Sequence, residues 1–150
     1  MDAKYFKFSI VDEGSSYDAD INAYIVGLST PLGATYLAKL NTFIVNLKSD
    51  LSITNLSEVF DVFTVLANET EEAALRNIVK RDHDATNIDA MSFTTLQGFT
   101  GDGANDYLTT DYIPETDHII YALDDASIGV YVSIGDYTGG VNNGLIASSD

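Results

Sequence analysis

The chain has 150 residues, 45% of them apolar, enough for the core of one ordinary domain or two small ones. Its 23 acids and 7 bases give a formal net charge of −16, and such a surface repels nucleic-acid phosphates and anionic membranes. The absence of cysteine excludes disulfides, thiolate metal ligands and cysteine nucleophiles. We therefore expect neither a nucleic acid nor a membrane among its partners.

The charge is unevenly distributed along the chain. No Lys or Arg follows Arg81, and residues 82–150 carry twelve acids. Such a segment keeps a protein in solution and can attract a cation or a basic protein partner. No apolar run approaches the roughly 20 residues that span a bilayer, and the N-terminus lacks the apolar core of a signal peptide. We expect a soluble protein without its own export signal.

The first predicted element is a strand near the N-terminus. Phe6, Phe8 and Ile10 share one face at period two, with polar residues between them. Residues 12–16 have the composition of a linker. A lone terminal strand must pair with something. This arm, residues 1–16, therefore adds either to the protein's own sheet or to a neighbouring protein.

Residues 17–81 are predicted to form a small helical domain. Apolar side chains recur there at positions i, i+3, i+4 and i+7, and acids precede bases in the last segment, as the helix dipole favours. The expected helix starts are Asp18 or Asp20, Thr30-Pro31, Asn55 or Ser57, and Asn68–Glu72. The aromatic residues expected in the core are Tyr24, Tyr36, Phe43, Phe60 and Phe63.

Residues 82–150 are predicted to form an acidic β region. Strand formers recur in short runs separated by turn residues, which favours antiparallel pairing over alternating βαβ units. The predicted strands are Ser92–Leu96, Asp106–Thr110, His118–Ala122 and Ser127–Ile134. The predicted turns are Gly101–Asn105, Pro114–Asp117, Asp124-Asp125 and Gly135–Gly144. The fold class is therefore α+β, with an arm, a small helical bundle and an antiparallel, jelly-roll-like region.

The glycine-rich stretch Gly98–Leu108, GFTGDGANDYL, is the strongest candidate for a ligand loop. Counted from Asp102, its third, sixth and twelfth positions are Ala104, Tyr107 and Ile113, in place of the Asp or Asn, the Gly and the Glu of a helix–loop–helix calcium site. It also lacks the lysine and the following helix of a phosphate loop. Turn chemistry is the preferred interpretation, because Gly, Asn and Asp tolerate positive φ. A cation held by Asp102 and Asp106 is the minor alternative.

No other pattern indicates catalysis. His83 and His118 lack the spacing of a helical metal site, and no G-x-S-x-G elbow is present. Paired acids such as Asp124-Asp125 are common by chance in a chain with 23 acids. A hydrolase would need two carboxylates held across a cleft, which spacing alone does not establish. We predict that the chain is not an enzyme and binds no cofactor or metal.

Two resemblances bear on function. The stretch Gly98–Leu108 is similar to the F-x-G-x-x-D-Y opening strand of concanavalin-A-like, laminin-G-like jelly-roll domains, and Asp125–Val132 resembles their next core strand. This resemblance implies a carbohydrate-binding or structural sandwich. Such domains run for more than a hundred residues from this strand, whereas 43 residues follow Tyr107 here. Either the sheet is abbreviated or residues 82–150 begin a longer sandwich.

The second resemblance is to structural proteins of tailed-bacteriophage virions. It is carried by Tyr17–Ile21, Lys39–Lys48, His83–Thr86 and the glycine-rich stretch. It implies a head fibre, a capsid decoration protein or a fibre attachment protein exposed on the particle, with other capsid or fibre proteins as partners. It carries over no catalytic residue. Because fibres are commonly trimeric, we expect a homo-oligomer, with a trimer as the favoured state.

The sequence therefore predicts a non-enzymatic virion protein that docks through its arm and projects the acidic β region. The expected docking residues are Phe6, Phe8 and Ile10. The alternative is a lectin-like module that binds a carbohydrate receptor. Its glycan contacts would be the aromatic residues near the predicted loops, Tyr107, Tyr112 and Tyr137.

Overall fold

The computed structural model of the chain describes residues 17–102, 104–120, 122 and 127–130. The helices are α1 (Ala19–Ile25), α2 (Ala34–Leu51), α3 (Glu71–Leu75) and α4 (Pro114–Asp117), with a 3₁₀ turn at Leu56–Glu58. The strands are β1 (Thr86–Ile88), β2 (Ser92–Thr94), β3 (Gly98–Thr100) and β4 (Tyr107–Thr109). The predicted α+β class is confirmed. No helix within the described ranges is both long and apolar enough to cross a membrane.

Helix α1 begins where the sequence predicts it. The Asp18 carboxylate caps the helix by accepting a hydrogen bond from the Asp20 backbone N–H at 2.9 Å. Ile21 and Tyr24, one turn apart, are the buried side chains of this helix. With seven residues, α1 is far shorter than the 12 to 15 residues that an isolated helix needs, so it depends on tertiary contacts.

Helix α2 begins three residues later than predicted. Thr30-Pro31 does not start it, because the chain stays extended through Gly33, whose backbone N–H donates to the Glu69 carboxylate at 2.5 Å. The extended segment also buries Leu32 in the core. Tertiary contacts thus override the proline start signal. The prediction that Phe43 lies in the core is also wrong, since its side chain is 47% exposed.

The third predicted helix is absent. Only the 3₁₀ turn forms, closed by the capping box between Asn55 and Glu58. The chain beyond it makes long-range hydrogen bonds instead. Phe63 N–H donates to the side-chain oxygen of Asn77 at 3.1 Å, and Ile78 N–H donates to the Phe63 carbonyl at 2.8 Å. These bonds take backbone groups that a helix would have used internally.

Helix α3 is also shorter than predicted. It begins after Thr70, whose hydroxyl accepts a hydrogen bond from Ala73 N–H, and it ends at Leu75. The predicted helix end at Arg76–Arg81 lies outside it. Ile78 is nevertheless buried, so the segment joins the core without being helical. The core side chains are Ile21, Tyr24, Leu32, Leu37, Leu40, Ile44, Leu56, Ala73 and Ile78.

The strands form two small antiparallel sheets, one pairing β2 with β3 and the other pairing β1 with β4. Phe93 lies opposite Phe99 in the first, and their ring centroids are 5.2 Å apart. The predicted strand Ser92–Leu96 is confirmed over three residues as β2, and Asp106–Thr110 over three residues as β4. Strand β1 was not predicted.

One turn prediction and two strand predictions differ from the structure of the described residues. Pro114–Asp117 forms helix α4 in place of a turn, and residues 118–120 are not in a strand. The backbone N–H groups of Ile119 and Ile120 instead donate to the Asp61 carboxylate. Residues 127–130 have no regular structure, and the rest of Ser127–Ile134 lies outside the described residues. The N-terminal arm lies outside them as well.

Two buried cations hold α1 at its ends. At the N-terminal end, the Lys48 ammonium lies 2.5 Å from Asp18 and 2.7 Å from Asp20. Burial lowers the pKa of Lys48, but hydrogen bonds to the two carboxylates raise it more, so the net shift is upward. The ammonium is therefore charged in the folded protein, and α1 and α2 are tied together through it.

Arg76 lies at the C-terminal end of α1 and is 4% exposed. Its guanidinium caps this end of the helix. It donates to the Tyr24 and Val26 carbonyls at 2.9 Å and to the Gly27 carbonyl at 3.3 Å. The same guanidinium is paired with Glu72 of α3 at 3.1 Å. One side chain therefore satisfies the carbonyls of the α1 C-terminus and joins α1 to α3.

Replacing Lys48 by Ala should lower the free energy of unfolding by about 3–5 kcal/mol, because Asp18 and Asp20 lose their buried partner. Urea unfolding followed by circular dichroism measures the loss. The exposed Lys39, replaced by Ala, is the matched control and should change stability by less than about 0.5 kcal/mol. A loss below about 1 kcal/mol for Lys48→Ala would contradict the buried pair.

Alkaline pH should destabilise the fold through Tyr24. Burial raises its pKa to about 12, whereas an unfolded tyrosine ionises near pH 10. Stability from this group is complete below pH 10 and is lost as the pH rises toward 12. In Tyr24→Phe, the slope of the unfolding free energy against pH should be shallower in that window, by up to about 1.4 kcal/mol per unit.

The control for this pH dependence is Tyr107→Phe, because Tyr107 is 54% exposed. It should leave the slope unchanged. At neutral pH, Tyr24→Phe should itself cost about 1–3 kcal/mol, since Asn68 and the Ala73 carbonyl lose their hydrogen-bond partner. Equal slopes for Tyr24→Phe and the parent between pH 10 and 12 would refute the assignment to Tyr24.

Candidate functional site

The glycine-rich stretch forms a strand followed by a turn. Gly98 has a φ of 95°, in the left-handed region, and a Cβ there would lie 3.4 Å from the Leu66 carbonyl oxygen. In the turn, Asp102 N–H donates to the Asp106 carboxylate at 2.7 Å, and Ala104 N–H donates to the Asp102 carboxylate at 2.8 Å. The two carboxylates therefore bind their own backbone, as the turn interpretation predicts.

The three tyrosines of the lectin alternative are not equivalent. Tyr107 lies on β4 and is 54% exposed, as a glycan contact requires. Tyr112 is half-buried, and its hydroxyl donates to the Asp61 carboxylate at 2.9 Å. Tyr137 lies outside the described residues, as do the docking residues Phe6, Phe8 and Ile10. The structure thus presents one of the three tyrosines as an exposed aromatic surface.

Asp61 is a junction between the helical domain and the segment after β4. Besides the Tyr112 hydroxyl, its carboxylate accepts hydrogen bonds from the backbone N–H groups of Ile119 at 2.7 Å and Ile120 at 3.3 Å. The sequence offered no signal for this residue, because its partners lie more than fifty positions away.

His83 lies beside the same junction. Its ring meets the Tyr112 ring edge-on at 5.4 Å, and its Nε2 is 3.9 Å from the Asp117 carboxylate, an ion pair when the imidazole is protonated. The hydrogen bond from the Ile113 N–H lowers the pKa of Asp117, and the nearby charges of His83 and Lys80 lower it further. His83, Asp61 and Asp117 therefore hold the segment after β4 in place.

The buried polar side chains of the described ranges form hydrogen bonds within the protein. Within those ranges, no buried side-chain nitrogen or oxygen lacks a hydrogen-bond partner. No group of three or more His, Asp or Glu residues there is placed to hold a metal ion. The resolved pKa shifts of the acids also have structural causes. The pKa of Glu72 is lowered mainly by the Ser29 hydroxyl, and that of Glu58 by the Asn55 backbone.

The most distinctive exposed feature is aromatic. Phe43 of α2 stacks on Phe63, with ring centroids 6.3 Å apart and planes 20° apart, and Phe63 contacts Phe60 at 5.0 Å. Phe60 and Phe63 are half-buried against the core, whereas Phe43 is 47% exposed. We name Phe43, Phe60 and Phe63 the aromatic patch. Aromatic side chains exposed together mark an interaction surface more often than isolated ones do.

Sequence reasoning placed all three rings of the patch in the core. Phe43 does lie on the apolar stripe of α2, but it is at the edge of that stripe, flanking the buried Leu40 and Ile44. The sequence signal for the exposure of Phe43 is the width of the apolar stripe on α2, because side chains at the edge of such a stripe are the least covered by the core.

Comparisons with known proteins complete the description of the site. No protein-family model, no curated protein and no solved structure matches this chain.

Replacing Asp61 by Ala should release the segment that follows β4. Hydrogen bonds to a charged group are worth about 1.5–3 kcal/mol, so amide hydrogen exchange at Ile119 and Ile120 should be about tenfold or more faster. Hydrogen–deuterium exchange with mass spectrometry on peptides that cover these residues tests this. Asp82→Ala, at an acid whose side chain is 51% exposed, should leave their exchange unchanged. Unaltered exchange in Asp61→Ala would refute the junction.

Proposed function

We propose that the chain is a non-enzymatic structural component of a phage virion, such as a head fibre, a capsid decoration protein or a fibre attachment protein. The observation that carries the proposal is the aromatic patch on a chain of net charge −16. A strongly charged surface keeps copies apart, and an apolar surface is what allows specific assembly. The patch therefore supports a role in protein–protein contact.

Each region has a role in this proposal. The arm docks on the shell or on a neighbouring subunit through Phe6, Phe8 and Ile10. The helical domain, which carries the aromatic patch, makes the contact between subunits. The acidic region after Arg81 projects outward, and the Asp61 junction holds its first segments against the helical domain. The resemblance to tailed-bacteriophage structural proteins supports the placement on a particle.

A structural role accounts for the described charged groups better than catalysis does. Lys48 and Arg76 are buried in ion pairs that hold helices together. The carboxylates of Asp61 and Glu72 accept hydrogen bonds from groups of the chain itself. General acid–base chemistry needs a group that can reach a substrate. These four residues instead serve the fold.

The second candidate function is a lectin-like module, and the exposed ring of Tyr107 on β4 favours it. Within this proposal, β1 to β4 are the first strands of a jelly-roll-like sandwich that includes later residues. A glycan array probed with the full chain distinguishes the two candidates. Binding that is lost in Tyr107→Ala would favour the lectin, and an array without hits would favour the purely structural role.

Phage particles assembled with a Phe6→Asp/Phe8→Asp chain should contain at least tenfold less of this protein per capsid subunit. The two carboxylates would have to be buried in an apolar contact, which is costly. Quantitative mass spectrometry of purified particles measures incorporation. Ser9→Asp/Ser15→Asp adds the same charge away from the apolar face and should incorporate normally. Normal incorporation of the phenylalanine variant would contradict docking by the arm.

A further inference from the structure

We infer that the aromatic patch of one copy binds the predicted strand of a neighbouring copy's N-terminal arm, residues 4–11. The inference rests on the proposed assembly role and names the two surfaces that meet. It joins two features that are otherwise separate. One is the aromatic patch, in which Phe43 is exposed and Phe60 and Phe63 are half-buried, and the other is a predicted amphipathic strand that needs a partner.

The patch has the chemistry that the arm requires. Its rings lie in contact, with Phe63 between Phe43 and Phe60, so they form one continuous surface. The apolar face of the arm presents Phe6 and Phe8 at period two. Aromatic pairs contribute about 0.5–1.5 kcal/mol beyond the apolar area they bury. Rings on both sides of the contact therefore add to its affinity and orient the arm on the patch.

Charge also favours contact between the arm of one copy and the body of another. Residues 1–11 carry Lys4 and Lys7 against Asp2, a net charge of +1, so residues 12–150 carry −16 − 1 = −17. The N-terminal eleven residues are thus a cationic segment on an acidic protein. Two whole copies repel each other, whereas the arm of one is attracted to the body of the next. Electrostatic attraction of this kind selects the partner and speeds association.

The position of the arm's attachment favours a neighbour over the same copy. Asp18 N–H donates to the Asn41 side chain on α2 at 2.6 Å, so the arm leaves the helical domain beside Asn41. Phe43 follows two residues later, which is about 200° around the helix axis at 3.6 residues per turn. The point at which the arm is attached therefore lies on the side of α2 that faces away from the patch.

The length of the arm is sufficient for an exchange between copies. Sixteen residues precede Tyr17, and an extended chain spans at most about 3.3–3.6 Å per residue, or roughly 55 Å. The longest helix, α2, has 18 residues and is only about 27 Å long. An arm with this reach can cross from its own helical domain to the patch of an adjacent one. When the contact is repeated around a symmetry axis, it forms a closed ring, of which the expected trimer is one case.

The absence of native cysteine makes disulfide cross-linking a direct test. A chain with Ile10→Cys, on the apolar face of the arm, is mixed with a chain with Asn46→Cys, which is exposed one turn after Phe43 on α2. Mild oxidation should give a mixed cross-linked dimer as a major product. The matched control is Ala38→Cys, equally exposed but on another side of α2. Its yield should be at least fivefold lower.

Two further variants make the result specific. Phe43→Asp in the Asn46→Cys chain should reduce the cross-link at least tenfold, and Phe43→Leu should restore most of it. Because Phe43 is 47% exposed, both variants should keep the parent circular dichroism spectrum. If a single chain with both Ile10→Cys and Asn46→Cys forms only an internal disulfide at low concentration, the arm binds its own copy and the exchange is refuted.

Failure of the inference and failure of the proposed function give different results. Equal cross-linking at residues 46 and 38, together with loss of Phe6→Asp/Phe8→Asp chains from particles, would overturn the exchange and leave the virion role intact. Specific cross-linking with normal incorporation of those variants would overturn the docking role and leave arm exchange standing.

Discussion

The fold depends on how a seven-residue helix is held at both ends. Alone, α1 is too short to be stable. The Lys48 ammonium neutralises Asp18 and Asp20 at its start, and the Arg76 guanidinium binds the carbonyls at its end. These cations come from α2 and from the residue after α3, so satisfying α1 also sets the positions of the other helices. The core that forms around Ile21 and Tyr24 follows from this arrangement.

The exposed aromatic surface is a consequence of the same tertiary bonding. Asn77 and the chain near Ile78 take backbone hydrogen bonds from Phe63, which keeps the segment after the 3₁₀ turn from becoming a helix. The extended segment lies along α2, so Phe60 and Phe63 come beside Phe43 without covering it. A local change of secondary structure thereby turns expected core residues into a surface. That surface is what supports an assembly role.

The acidic half of the chain is tied to the helical half by hydrogen bonds at several places, including those from Asn77 to Asp82 and Asp84 and from Leu96 to Asn68. Asp61 accepts hydrogen bonds from Tyr112, Ile119 and Ile120, and His83 flanks the Tyr112 ring. No sequence motif marks a carboxylate in this role, because it accepts hydrogen bonds from backbone groups that are distant in the sequence. The arrangement suits a protein whose acidic region projects from a small, well-bonded base. The proposed function accordingly rests on surfaces and contacts and not on reactive groups.

The sequence by itself determined the composition-level properties and the most local elements. These are the α+β class, the Asp18 cap of α1, the strands around Phe93 and Leu108, and the turn made by Asp102 and Asp106. The cap and the turn are made by hydrogen bonds between residues two to four positions apart, and β2 and β4 were predicted from their own strand-forming residues, although β4 pairs with β1 19 to 23 positions away. Tertiary structure decided the late start of α2, the loss of the third helix, the junction at Asp61 and the exposure of Phe43. There the deciding hydrogen bonds and packing contacts join residues 14 to 59 positions apart, and no local pattern encodes such partners.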